Sequence, residues 1–417
     1  MKPVSAKQVQ NKTVLVRVDY NVPLHQINKK IEVVDDSRIK ASLATIELLL
    51  KARAKIILIS HLGRPGGQVK PELSLKPVAE HLARLIGQPV EFAADCVGDA
   101  ANKAAQDLQP GQILLLENLR FHQQEKKNDL KFSKQLARLA EVYVNEAFST
   151  CHRSHASIVG VAEWLPSYPG LALVKEVEAL TSLMNNPERP FVMVVGGAKI
   201  SDKIDAVTNL SKIANAVLVG GGVANNFLKA DGYEIANSYL QDVPADLKKN
   251  KISYVEVARE IIDQNKTQRV LKDGYIPLPK IIYPIDVIAA KSLDSKKTSV
   301  VNLFNGEACQ VKKDQMFLDI GPKTVRLFQE VILHAKTVFW NGPMGVFEQD
   351  QFAQGTREVA RTIAKAGAMT ILGGGDTISA INQFGLADRY DYVSAAGGAS
   401  LEFLSGKELP GIKSLKS

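Results

Sequence analysis

Short apolar runs alternate with helix-periodic stretches along almost the whole chain, and this alternation leaves few architectures open. The run at 14–18 precedes 37–53, where Ile39, Leu43, Ile46, Leu49 and Leu50 recur at helical spacing. The run at 56–60 precedes 75–86, which is again helix-periodic. The second half repeats the scheme, with runs at 191–195, 216–219, 281–283, 337–340 and 370–372 and helices expected from about 201, from 223, after 323 and after 355. Parallel strands need long crossovers, so such a series predicts mostly parallel sheets covered by helices on both faces. The expected fold class is therefore α/β, as two doubly wound, Rossmann-like halves of similar size. Their divide is placed within 168–190, on a helix carrying Leu173, Val174, Val177, Leu180 and Leu183. Residues 236–280, rich in Lys, Asp and Asn, read as an irregular surface excursion around one helix.

The residues just beyond each run change in character halfway along the chain. First-half runs lead into Asp19-Tyr20-Asn21, His61-Leu62-Gly63-Arg64 and Asn118-Leu119-Arg120. Second-half runs lead into Gly196-Gly197-Ala198-Lys199, Gly220-Gly221-Gly222 and Gly373-Gly374-Gly375-Asp376-Thr377. Ligands of open α/β sheets bind beyond the carboxyl ends of the strands. Two kinds of strand end therefore point to two ligands, a small multiply charged anion and a nucleotide.

Bulk properties narrow the class further. The 417 residues suffice for two or three domains with substantial cores. A formal charge of +8, from 52 basic and 44 acidic residues, could serve nucleic acid, a membrane surface or an anionic metabolite. The Lys-rich stretches at 248–251 and 296–297 lack aromatic interleaving and read as solvated surface, which disfavours the first two. Cys96, Cys151 and Cys309 are too few and too scattered for a disulfide framework or a metal cluster, so a reducing cytoplasm is expected. Residues 1–5 lack the apolar core of a signal peptide, and no apolar stretch approaches the roughly 20 residues that span a bilayer.

Individual residues carry the chemistry. Arg38 opens an expected helix, where the dipole disfavours a cation unless an anion is bound; pairing with Asp35 or Asp36 is the alternative. His61 and Arg64 precede Pro65-Gly66-Gly67 in a loop suited to phosphate or carboxylate. Arg120 and the cluster His152-Arg153-Ser154-His155 place further cations at strand ends. In the glycine half, Lys199 and Lys203 flank a helix start with Ser201 as candidate N-cap. The glycines at 373–375 permit close backbone approach, the next helix offers unpaired N–H groups, and Asp376 offers a hard oxygen to Mg²⁺. Neither a Walker A loop nor Gly-x-Gly-x-x-Gly occurs.

Long motifs then carry a family resemblance. Arg17-Val18-Asp19-Tyr20-Asn21-Val22-Pro23, Ser60-His61-Leu62-Gly63-Arg64-Pro65, Glu117-Asn118-Leu119-Arg120-Phe121, the 196–203 segment, Trp340-Asn341-Gly342-Pro343-Met344-Gly345-Val346-Phe347-Glu348 and 373–377 together resemble phosphoglycerate kinase, collinearly and over nearly the whole chain. The resemblance implies reversible, Mg²⁺-dependent phosphoryl transfer between ATP and the carboxylate of 3-phosphoglycerate, giving ADP and 1,3-bisphosphoglycerate. It implies that Asp19, Tyr20, Asn21, Arg38, His61, Leu62, Gly63, Arg64, Arg120 and Arg153 hold phosphoglycerate. It further implies that Lys199, Lys203, Gly220, Gly221, Gly222, Asn341, Glu348, Gly373, Gly374, Gly375, Asp376 and Thr377 hold the nucleotide, with Asp376 on the metal. The expected catalytic groups are Arg38, Lys203 and the N–H groups of Gly373 and Gly374.

The implied domains are a phosphoglycerate-binding domain at 1–170 with 401–417 packing back on it, a hinge helix at 171–189, and a nucleotide-binding domain at 190–400, with a cleft between the domains. In-line transfer needs reacting atoms about 3 to 3.5 Å apart, so compaction on binding both substrates, read by small-angle scattering, is expected. A cytoplasmic monomer without nucleic-acid or membrane partners is also expected. Three stretches depart from the family pattern, one being the 236–280 excursion, longer than the family's. Ser394-Ala395-Ala396-Gly397-Gly398-Ala399 lacks a hydroxyl, and Ser149 and Cys151 replace the usual Gly and Ala; Ser149 would be strained if its φ were positive. The rival classes are a nicotinamide-dependent oxidoreductase, disfavoured by the missing dinucleotide fingerprint, and a non-catalytic nucleotide- or RNA-binding protein.

Overall fold

A computed structural model describes residues 1–27, 30–242, 253–266, 279–303, 311–394 and 396–415. Residues 243–252 and 267–278 of the 236–280 excursion, Cys309 and Ala395 lie outside the described residues.

The apolar runs of the first half form a six-stranded parallel sheet. Its order is Val90–Ala93, Ile113–Leu116, Lys55–Ile59, Thr13–Arg17, Val142–Asn145 and Ser167–Pro169. Ile56, Ile57, Leu58 and Ile59 are all fully buried, as a strand covered on both faces requires. Each such side chain contributes roughly 1.5–3 kcal/mol through burial. After Thr13–Arg17 the chain adds strands on one side, then returns to the other side at Val142–Asn145. The switch of direction therefore falls beside Thr13–Arg17, and the loops after this strand and its two neighbours carry Asp19, His61 and Arg153.

The second half forms another six-stranded parallel sheet, in the order Ile281–Ile282, Ala216–Val219, Phe191–Val195, Thr337–Asn341, Met369–Gly373 and Tyr392–Ser394. Here the direction switches between Phe191–Val195 and Thr337–Asn341. The loops leaving these two strands begin at Gly196 and Gly342, so the glycine-rich segments gather at the switch point.

The described residues form two compact units. One joins Met1–Glu178 to residues from Glu408 onward, and the other is Ala179–Lys407. The divide falls inside the helix Leu171–Asn185, and the return to the first unit begins at Glu408 rather than Leu401. Among the described residues no helix is long and apolar enough to cross a membrane.

Some local features differ from the sequence expectation. The stretch 37–53 makes two helices, Ser37–Ala41 and Leu43–Lys51, broken at Ser42, whose hydroxyl donates to the Ile39 carbonyl. The helix expected from about 201 begins at Ile204, because Ser201 bonds to Asp202 and to Gln241 instead of capping. Two antiparallel elements are additional: the hairpin Leu24–Ile27 with Lys30–Val33, and a three-stranded sheet of Ser299–Asn302, Asp286–Ala290 and Met316–Ile320.

Candidate active site

In the first unit the strand-end residues interlock. Asn118 holds two loops at once: its Oδ1 accepts the N–H groups of Leu62 and Arg120, and its Nδ2 donates to the carbonyls of Leu62 and Leu73. Arg120 donates to the Gly63 carbonyl at 2.7 Å, and the Gly63 N–H donates to Asn21 Oδ1 at 2.8 Å. Arg38 lies 2.8 Å from Asp19 Oδ2, which also accepts the Ser149 hydroxyl. The ion pair is therefore with Asp19, not with Asp35 or Asp36. Ser149 has no positive φ, so its backbone is unstrained and its hydroxyl steadies the carboxylate facing Arg38.

Arg17 is the residue that sequence reasoning passed over. It is fully buried; Nε donates to Ser157 Oγ at 3.0 Å, and Nη2 lies 3.0 Å from His61 Nδ1. A guanidinium can only donate, so Nδ1 of His61 accepts and the ring proton sits on Nε2. Burial, then the charges of Arg17, Arg120, Arg153 and Arg38, hold His61 well below the usual imidazole range. His61 is thus a neutral donor among four cations.

Burial, followed by Arg153 and Arg17, pushes Arg120 down to about 10, so it remains charged at neutral pH. Its Nε has no partner among the described residues. Arg153 donates to His152 Nε2 at 3.0 Å. Clustered guanidinium groups with spare donors suit a phosphate or carboxylate ligand. Tyr20 and Leu62, by contrast, bury their side chains, and the Tyr20 hydroxyl faces Ser42 at 2.9 Å. What these two can present is backbone. Arg64 is exposed at the loop surface.

In the second unit, glycines allow three loops to pack backbone to backbone. A Cβ on Gly342 would lie 2.3 Å from the Gly196 carbonyl oxygen, and one on Gly222 would lie 2.6 Å from that of Ala198. Above this packing lies a cavity of ≈ 500 Å³ lined by Lys203, Asn341, Gly374, Gly375, Asp376 and Thr377, among others. Burial lowers the Lys203 ammonium, while Asp202 and Asp376 oppose the shift. Asn341 is buried, and its Nδ2 has no hydrogen-bond partner among the described residues. The helix Gly375–Gln383 begins beside it, with Gly374 at φ 96°. An amide, an ammonium and a helix N-terminus thus converge, as a polyphosphate requires.

A second, mostly apolar cavity of ≈ 400 Å³ is lined by Gly221, Gly222, Leu228, Pro343, Val346 and Glu348, and Asp376 borders both cavities. Gly373 is buried behind Gly374, and the Thr377 hydroxyl accepts the Gly342 N–H at 2.7 Å. Lys199 is exposed and lines neither cavity, and neither does Gly220, which precedes the helix Gly221–Ala230.

Asp319 lines the apolar cavity, and no sequence motif singled it out. Its carboxylate accepts the N–H groups of Gly355 at 2.7 Å and Ile320 at 2.9 Å. Burial, opposed by these two bonds, pushes it up to about 8. Folded Asp319 therefore holds a proton that the unfolded chain releases near pH 4. Its contribution is complete below that pH and is lost as pH rises toward about 8. One such proton gives a slope of at most about 1.4 kcal/mol per pH unit. Asp319→Asn should flatten the decline in urea stability over this window; an unchanged slope would assign it to other groups.

Known proteins share both the motifs and the architecture. The sequence model of the phosphoglycerate kinase family matches residues 4–407. The chain belongs to the phosphoglycerate kinase family. It is 45% identical over 417 residues to the phosphoglycerate kinase of Pelotomaculum thermopropionicum, covering 99% of this chain and 98% of the relative. It is 46% identical over 408 residues to that of Moorella thermoacetica, covering 98% and 97%. The solved phosphoglycerate kinase of Coxiella burnetii superposes with a TM-score of 0.81 at 36% identity, covering 99% of both chains. That of Pyrococcus horikoshii gives 0.80 at 33% identity, covering 98% of this chain and 96% of the other. The mostly parallel α/β architecture expected of a phosphoglycerate kinase is thus the one this chain has.

Proposed function

We propose that the protein transfers the γ-phosphoryl group of ATP reversibly to the carboxylate of 3-phosphoglycerate, giving ADP and 1,3-bisphosphoglycerate. A carboxylate oxygen attacks the γ-phosphorus, the bond to the β-γ bridging oxygen breaks, and its electron pair leaves with ADP. The nucleophile is already ionised at neutral pH, so no general base is needed. Catalysis then rests on position and on charge neutralisation.

The arginine cluster around neutral His61 would hold phosphoglycerate through its phosphate and carboxylate, with Asp19 orienting Arg38. Lys203, Asn341 Nδ2 and the N–H groups at 374–375 would hold the phosphates, and the apolar cavity would take the base, with Glu348 near the ribose. Arg38 and Lys203 would neutralise charge on the transferring group. The observation that carries this reading is the buried Asn341 amide, whose Nδ2 has no partner among the described residues, beside Lys203 and the 375 helix start.

The exposed Asp376 carboxylate, bordering both cavities, fits Mg²⁺, which takes one or two carboxylates together with substrate phosphates. When bound, that ion would neutralise phosphate charge. The test is a coupled assay with 3-phosphoglycerate and MgATP. The parent should turn over, and Asp376→Asn should need about tenfold or more Mg²⁺ for half-maximal rate. No turnover by the parent overturns the activity, and an unchanged Mg²⁺ requirement overturns the metal assignment. We extend the proposal to a cytoplasmic monomer without nucleic-acid or membrane partners, for which light scattering on a sizing column tests the oligomeric state.

A further inference from the structure

A carboxylate, a thiol and an imidazole from distant parts of the sequence converge in the first unit, outside the groups assigned to phosphoglycerate. Asp95 and Cys96 lie just after the strand Val90–Ala93, and His122 just after the turn Leu119–Phe121. One ligand atom from each lies within 4.8 Å of the other two. His122 Nε2 is 2.7 Å from Asp95 Oδ1, which also accepts the Cys96 N–H at 2.6 Å. Cys96 is fully buried, while the side chains of Asp95 and His122 are 45% and 27% exposed. A cavity of ≈ 520 Å³ reaches His122 together with Gln124, Asp129 and Gln135, giving solvent a path to the ring.

An Asp–His pair alone would account for two of these groups but not for the thiol beside them. Sulfur, nitrogen and oxygen together are a donor set for a borderline-soft ion. Mg²⁺ and Ca²⁺ want oxygens, whereas Zn²⁺ takes thiolate, imidazole and carboxylate in one tetrahedron.

We propose that Asp95, Cys96 and His122 bind one Zn²⁺-class divalent ion, with water as the fourth ligand. On binding, the Cys96 thiol releases its proton to solvent and the sulfur coordinates as thiolate. The ion would tie the 95–96 turn to the segment carrying Arg120, two residues before His122. A bound ion would thereby alter the affinity for phosphoglycerate more than that for nucleotide. This last consequence rests on the assignment of Arg120 above; the site itself does not.

Co²⁺ titration of the full chain, without nucleotide, tests the site independently of activity. A sulfur-to-cobalt charge-transfer band should saturate at one equivalent, be displaced by Zn²⁺, and vanish in Cys96→Ser. His122→Asn and Asp95→Asn, at partly exposed positions, should weaken Zn²⁺ binding at least about tenfold without altering the metal-free melting curve. Absence of a saturable band, a band that persists in Cys96→Ser, or undiminished Zn²⁺ affinity in His122→Asn would each overturn the proposal. Should Cys96→Ser fail to fold, the His122→Asn affinity decides.

Discussion

Arg38→Ala is expected to lower kcat about 10²–10³-fold, the loss typical when one preorganised donor to transition-state charge is removed, while ADP affinity stays essentially unchanged. Arg38 stands at the start of Ser37–Ala41, with its guanidinium fixed by Asp19 at 2.8 Å and by the Asn21 carbonyl at 3.3 Å. Unfolding cannot mimic the effect. The pair with Asp19 is partly exposed, at 31% and 12%, and such pairs contribute about 0–1 kcal/mol. Arg38→Lys keeps the charge but loses the fork, so an intermediate rate is expected. Steady-state kinetics paired with calorimetric ADP titration would check both parts. A near-normal kcat in Arg38→Ala would remove this residue from the chemistry.

Gly342→Ala should damage the second unit more than any exposed glycine replacement. Gly342 has φ +92°, and an added Cβ would meet the Gly196 carbonyl group at 2.3 and 2.5 Å. Those neighbours are backbone, which cannot rotate aside as a side chain can. Left-handed strain and overpacking together predict a loss of roughly 3 kcal/mol or more. ADP affinity should fall with it, because Gly342 N–H anchors Thr377 and its carbonyl accepts the Trp340 indole N–H. Gly375→Ala is the control: its φ is not positive and a Cβ would meet nothing within 4 Å. Urea midpoints of the two variants should differ clearly; equal midpoints would mean the three-loop packing yields more easily than its geometry implies.

The parallel strands were legible because covering a strand on both faces demands uninterrupted apolar residues, as at Phe191–Val195. The antiparallel sheet was not. Ser299–Asn302 alternates in burial and Asp286 and Asp319 interrupt its partners, so no apolar run announces it. Candidate site residues in loops stood out by type, since arginines and glycines at successive strand ends are otherwise unexplained. Arg17 was hidden because it ends a strand run, where its burial against Ser157, 140 residues away, leaves no local signal. Tyr20 shows the opposite case, since membership of a motif said nothing about which way its ring would face, and the ring is buried with its hydroxyl toward Ser42.

The return of the chain to the first unit has a consequence for synthesis. Gly411 packs against Cys151, its N–H donating to the Cys151 carbonyl at 2.8 Å, and Ser414 bonds to the Ile158 carbonyl. The segment bearing Arg153 is therefore buttressed by residues that leave the ribosome after the whole of 179–407. On a growing polypeptide the second unit can complete its own contacts first, while the unit made earliest waits for the brace supplied from 408 onward. A stalled or clipped product lacking 408–415 would then keep the glycine loops intact and, on the proposed assignment, lose its grip on phosphoglycerate, so that incomplete copies fall silent without competing for it.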